Sequence, residues 1–71
     1  MDQQLLKALA RQLDDASCII FYHEARFYHL YDSEQANYGY DVYVAMDEYE
    51  PYDGGTLDID TAEEAILAII K

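Results

Sequence analysis

Leu5, Leu6, Leu9 and Leu13 follow the one-three-four spacing that gathers side chains onto one face of an α-helix, and no Gly or Pro interrupts them. With Asp2 placed to cap it, the spacing predicts a helix over residues 3–13 that Asp14-Asp15 ends. The period then changes. Ser17 to His23 is β-branched and aromatic, and Arg26 to Tyr31 repeats that character, Phe-Tyr-His occurring at 21–23 and again at 27–29. Two adjacent antiparallel strands account for this best. The connection His23-Glu24-Ala25-Arg26 lacks the Gly or Asn that a tight hairpin turn prefers, which leaves a bulged single strand or a helical stretch as alternatives.

Strict alternation returns at Tyr40, Val42, Val44 and Met46, the clearest strand signal in the chain, with Asp41, Tyr43, Ala45 and Asp47 on its opposite face. One face can pack on helices while the other presents carboxylates and a phenol to water. DEYEPYDGG, residues 47–55, reads as an acidic loop closed by a Gly pair able to take positive φ, and Thr56 to Ile59 as a short edge strand. Thr61-Ala62-Glu63-Glu64 matches a capping box, which opens a last helix with Ala62, Ala65, Ile66, Ile69 and Ile70 inward. The expected fold is one α+β domain over 1–71: two layers, an antiparallel sheet of three to four strands, and an N-terminal and a C-terminal helix in α-β-β-β-α order.

Size limits what such a domain can hold. At 71 residues the chain is near the lower bound for closing a core without disulfides or metal. The candidate core draws on the helix leucines, Ile19, Ile20, Phe21, Phe27, Leu30, Val42, Val44, Met46, Leu57, Ile59 and the isoleucines of the last helix. Cys18 is the single cysteine, so no internal disulfide forms, and its setting in the apolar run CIIF reads as a buried, inert thiol. The start MDQQLLKALARQLDD has neither the basic segment nor the apolar run of a signal peptide, so a cytoplasmic location is expected.

Charge changes the picture most. Fifteen acidic residues face four basic ones for a net −11, and from Phe27 to Ile70 eleven carboxylates occur without one Lys or Arg. Such a field repels nucleic acid and anionic membranes and draws in basic protein surfaces. Eight tyrosines exceed what so small a core can bury, and exposed Tyr suits recognition surfaces, although Tyr also fills half-buried sheet positions. The residues expected to contact a partner are Asp41, Tyr43, Asp47, Glu48, Tyr49, Glu50, Tyr52 and Asp53. Alternate carboxylates on a strand stand about 6.7 Å apart, comparable with successive phosphates along a nucleic-acid strand. A solvated face kept for solubility is the plain alternative.

Other chemistry has thinner support. His23 and His29, with Glu24 and Asp32, permit a metal site to be drawn, but histidines in aromatic strands more often pack half-buried, and no window near Gly54 has the spacing of a calcium loop. No nucleophile elbow, phosphate-cradling loop or zinc-protease signature is present, so neither an enzyme nor a cofactor is expected.

In size, acidity and mixed α/β order the chain resembles small phage-encoded proteins that imitate DNA, including anti-CRISPR and anti-restriction inhibitors. That resemblance implies an inhibitor of a basic nucleic-acid-binding protein, acting as a monomer or homodimer, with Asp41, Asp47, Glu48, Glu50 and Asp53 as contact carboxylates and Tyr43, Tyr49 and Tyr52 between them. Residues Tyr40 to Lys71 are also similar to the second half of HicB-type antitoxin domains, which implies an antitoxin or immunity protein that neutralises a basic toxin. That family begins with a strand where this chain begins with a helix.

Overall fold

A computed structural model describes residues 1–44 and 51–70. Its elements are α1 (Gln3–Ala16), β1 (Cys18–His23), β2 (Arg26–Asp32), β3 (Tyr38–Tyr43), β4 (Asp53–Leu57) and α2 (Ala62–Ile69). The strands form one antiparallel sheet in the order β1-β2-β3-β4. This is the expected α+β architecture with four strands.

Helix α1 begins where Asp2, in extended conformation, accepts the Gln4 N–H at 3.3 Å. It ends at Ser17, which turns left-handed at φ 68° and donates its N–H to the Leu13 carbonyl. Leu6, Leu9, Ala10 and Leu13 are buried, but Leu5 is 48% exposed, contrary to expectation. The inward face is centred between Leu6 and Leu13, and Leu5 lies about a quarter-turn from that centre. At the other end of the chain, the Thr61 hydroxyl accepts the Glu64 N–H at 3.3 Å and starts α2, whose Ala62, Ala65 and Ile66 are buried.

The β1–β2 connection is a two-residue hairpin despite its sequence. Glu24 and Ala25 both take positive φ, 48° and 66°, the signature of a type I′ turn, and register runs unbroken from His23↔Arg26 to Cys18↔Tyr31. Burial of Ile19, Phe21, Tyr28 and Leu30 on one face fixes that register, because a slip of one residue would turn all four to solvent. Phe21 and Tyr28 stack there with centroids 5.2 Å apart.

Strand β4 corrects the reading of the glycine pair. Gly54 and Gly55 lie within the strand, and no glycine has positive φ. What demands glycine at 54 is close approach: a Cβ would come within 2.9 Å of both the Tyr40 carbonyl oxygen and Asp41 Oδ1. Strand β3 ends at Tyr43, so Val44, expected inside, is 46% exposed; Met46, Asp47 and the loop residues to Glu50 lie outside the described residues.

Both helices pack on the sheet face that carries Ile19, Phe21, Tyr28, Leu30, Tyr38 and Val42, with Tyr40 and Leu57 at its margin, and these residues form one core. Among the described residues no helix covers the opposite face.

Candidate recognition surface

Pairing places Cys18, Ile20 and Tyr22 of β1, Phe27, His29 and Tyr31 of β2, and Gly39, Asp41 and Tyr43 of β3 on the uncovered face. Ile20, expected in the core, is 58% exposed and stands in water beside Tyr22, which is 59% exposed. Cys18 is exposed as well, which overturns its reading as a buried thiol. The reason is parity. A two-residue hairpin loop sets Ile20 against His29 and Tyr22 against Phe27, and the helices cover only the other side.

Aromatic contacts hold this face in shape. Tyr22 and Phe27 rings meet at 4.9 Å between centroids, and His29 and Tyr31 at 5.0 Å. The Tyr31 ring lies over Gly39, where a Cβ would sit 2.5 Å from its nearest carbon, so Gly39 is buried beneath a phenol. Burial, with Asp41 and Tyr43 nearby, raises the Tyr31 pKa above 10.0. Asp41, the one carboxylate of the face among the described residues, lies 3.8 Å from His29 Nδ1.

The eight expected contact residues therefore divide. Asp41 and Tyr43 share the open face. Asp53 begins β4 opposite Val42, on the helix side of the sheet but exposed, and its Oδ1 accepts the Gly54 N–H at 2.8 Å. Tyr52 is 63% exposed, donates its N–H to the Val42 carbonyl at 2.7 Å, and stacks beneath the Arg26 guanidinium at 5.2 Å. Asp47, Glu48, Tyr49 and Glu50 lie outside the described residues. The row of alternate carboxylates drawn along one strand stops at Asp41 there, because β3 ends at Tyr43.

A second carboxylate assembly lies at the opposite end of the sheet, where sequence reading marked no site. The Asp32 N–H donates to the Ser17 carbonyl at 2.9 Å and brings the end of β2 to the end of α1. Asn37 Nδ2 donates to the Ile59 carbonyl at 2.9 Å and ties the β2–β3 loop to the segment entering α2. Asp14, Glu63 and Glu64 line one shallow cleft between the helices. Asp14, Asp32, Glu34, Asp58, Asp60, Glu63 and Glu64 thereby form an acidic pole. The buried Tyr38 phenol registers its field: burial first, then Asp14 and Asp32, hold its pKa above 10.0. Among the described residues the ion pairs are His23–Glu24 and His29–Asp41, and no Lys or Arg nitrogen lies within 4.0 Å of a carboxylate.

The two histidines considered for a metal site lie on opposite faces of the sheet. His23 shares the helix side of the sheet with Arg26, and His29 faces the other way. Among the described residues no three His, Cys, Asp or Glu side chains are grouped to hold an ion, and no helix is long and apolar enough to cross a membrane. No protein-family model matches the chain, no curated protein matches it, and no solved structure matches it.

The register of the hairpin was the signal for the aromatic face: once Ile20 is set against His29, their common face cannot be the one that buries Ile19 and Leu30. The acidic pole had no local signal. Its members come from segments up to fifty residues apart and meet only through the sheet.

Proposed function

We propose that this protein binds a basic nucleic-acid-binding protein, occupies the surface that would otherwise hold nucleic acid, and so acts as a DNA-mimic inhibitor of a defence protein such as a CRISPR effector or restriction enzyme. The observation that supports this reading is the acidic pole, where carboxylates from five segments converge with no Lys or Arg within pairing distance among the described residues. Like charges brought together raise the free energy of the folded chain, and a cationic partner relieves that repulsion on binding.

The open aromatic face favours a second reading, an antitoxin or immunity protein. There the contact energy resides in Tyr22, Phe27 and Tyr43, and the carboxylates mainly accelerate encounter.

Capture of a partner from the native host by tagged protein at low salt, followed by titration of the purified pair, tests both. For the mimic, DNA displaces the partner, affinity falls steeply with salt, and the triple variant D32N/D58N/D60N weakens binding at least tenfold. For the second reading, Tyr22→Ala and Tyr43→Ala each weaken binding at least tenfold while DNA fails to compete. A partner that is neither displaced by DNA nor sensitive to the triple variant refutes the mimic.

A further inference from the structure

The charge of the chain is graded across its sheet. Residues 1–31, which hold α1, β1 and β2, carry four carboxylates and three Lys or Arg, net −1. Residues 32–44 and 51–70 carry eight carboxylates and no Lys or Arg, net −8. Because the strand order is β1-β2-β3-β4, the near-neutral half ends at the β1 edge and the anionic half at the β4 edge.

The β1 edge also lacks what normally shields such an edge. Its sequence, CIIFYH, contains no Pro, no Lys and no carboxylate, and its register with β2 has no bulge. The Ser17 carbonyl bonds toward β2, so the odd-numbered residues that follow also direct their backbone groups inward. Cys18, Ile20 and Tyr22 then point N–H and C=O outward along the free edge, and these same residues expose their side chains. Helix α1 adds to this side of the molecule. It packs on β1, and α2 lies against its Ala10–Asp14 flank, which leaves exposed Leu5 on the flank nearer the β1 edge.

We propose that two copies of this chain associate through β1, antiparallel across a two-fold axis with Ile20 opposite Ile20, to form one continuous eight-stranded sheet. The outward groups of Cys18, Ile20 and Tyr22 are self-complementary in that register, and the Leu5 side chains of the two α1 helices approach each other above the joint. Charge selects this edge for a second copy. Pairing at β1 joins the two near-neutral halves and sends the two −8 halves to the far ends, whereas pairing at β4 would oppose them. Six strand residues run about 20 Å. Against the shortest dimension of the molecule, 21 Å, that gives a patch of roughly 400 Å² per copy, about half that of a standard interface and in the range of weak, transient association. The dimer is accordingly reversible and concentration-dependent.

The inference does not rest on the proposed function, and salt separates the two. Each copy carries −11, so added salt screens repulsion and strengthens self-association, whereas it weakens a complex with a basic partner. Sedimentation equilibrium over roughly 5–500 micromolar protein, at about 0.05 and 0.5 M NaCl, should show the mass rising from 8.2 kDa toward twice that value, and doing so at lower protein concentration in the higher salt. Ile20→Lys should weaken association at least tenfold, and Thr56→Lys on the β4 edge should not. In a chain carrying Cys18→Ser, mild oxidation of Ile20→Cys should yield a covalent dimer, since directly opposed Cα atoms of such a pair stand about 5.5 Å apart, within disulfide reach; Thr56→Cys should not cross-link. A monomer at every concentration and salt, or equal cross-linking from position 56, overturns the proposal.

Discussion

The β1–β2 turn stores strain that two substitutions should release. Glu24 and Ala25 sit in the left-handed region, at φ 48° and 66°, where the Cβ of an L-residue crowds its own backbone at about 1–2 kcal/mol per residue. Ala25→Gly removes that crowding. It also frees the unfolded chain, which subtracts about 0.5–1 kcal/mol and leaves a net stabilisation of about 0.5–1 kcal/mol. Glu24→Asn adds a comparable gain, because Asn tolerates this conformation and Asn-Gly is the preferred type I′ pair. It gives up only the 3.8 Å contact with His23, made by a carboxylate side chain that is 82% exposed, and such a pair contributes little. The double variant should be about 1–2 kcal/mol more stable, and a domain of this size shifts by about 4–8 °C per kcal/mol. Thermal melts by circular dichroism at fixed protein concentration should therefore show a rise of roughly 5–15 °C. Ala8→Gly on the exposed side of α1 serves as the control and should lower stability by about 1 kcal/mol. If Ala25→Gly leaves Tm unchanged or lowers it as Ala8→Gly does, the strain is not there.

Gly54→Ala should destabilise by at least about 1 kcal/mol in urea titrations, since the new Cβ meets the Tyr40 carbonyl oxygen, which belongs to backbone and cannot swing aside. Stability should also fall as pH rises through and above 10. Tyr38 and Tyr31 both have raised pKa values, so above that pH the folded state holds protons that the unfolded chain has released; their contribution is whole below 10 and lost as pH passes the folded values. Tyr38→Phe should flatten that alkaline loss, measured as the urea midpoint against pH.

The fold was legible because its elements carry regular periods. The Leu6–Leu9–Leu13 spacing, the Thr61 cap and the alternation around Val42 each specify an element without help from the rest of the chain. The β1–β2 hairpin was legible from its flanks and illegible from its turn, because burial of Ile19, Phe21, Tyr28 and Leu30 overrides the poor turn chemistry of Glu24-Ala25. The glycine pair misled for a related reason: a sequence does not distinguish glycine needed for positive φ from glycine needed to admit a neighbouring backbone. Surface was harder than core. Ile20 has core composition and lies in water because both helices occupy one side of the sheet, a property of the assembled layers that no local window contains.

Where local chemistry and fold disagree without compensation, function is the usual cause. At the acidic pole the disagreement is confined to one helix end. Glu63 and Glu64 occupy the first turn of α2, where the helix dipole favours carboxylates, so they are explained by stability alone. Asp14 and Asp15 occupy the last turn of α1, which has no basic residue, and there the same dipole opposes them. Asp14 also faces the buried Tyr38 phenol and shares a cleft with Glu63 and Glu64. A lysine at position 14 would complement the dipole and both glutamates, so Asp14→Lys should stabilise the domain by about 0.5–1 kcal/mol at low salt, with less effect at high salt. If the pole serves a basic partner, the same substitution should weaken that complex at least tenfold while the Tm rises. A variant that is more stable and binds equally well would show that the carboxylate at 14 serves neither end; one that is more stable and binds worse would locate at this helix end the stability that the chain forgoes for recognition.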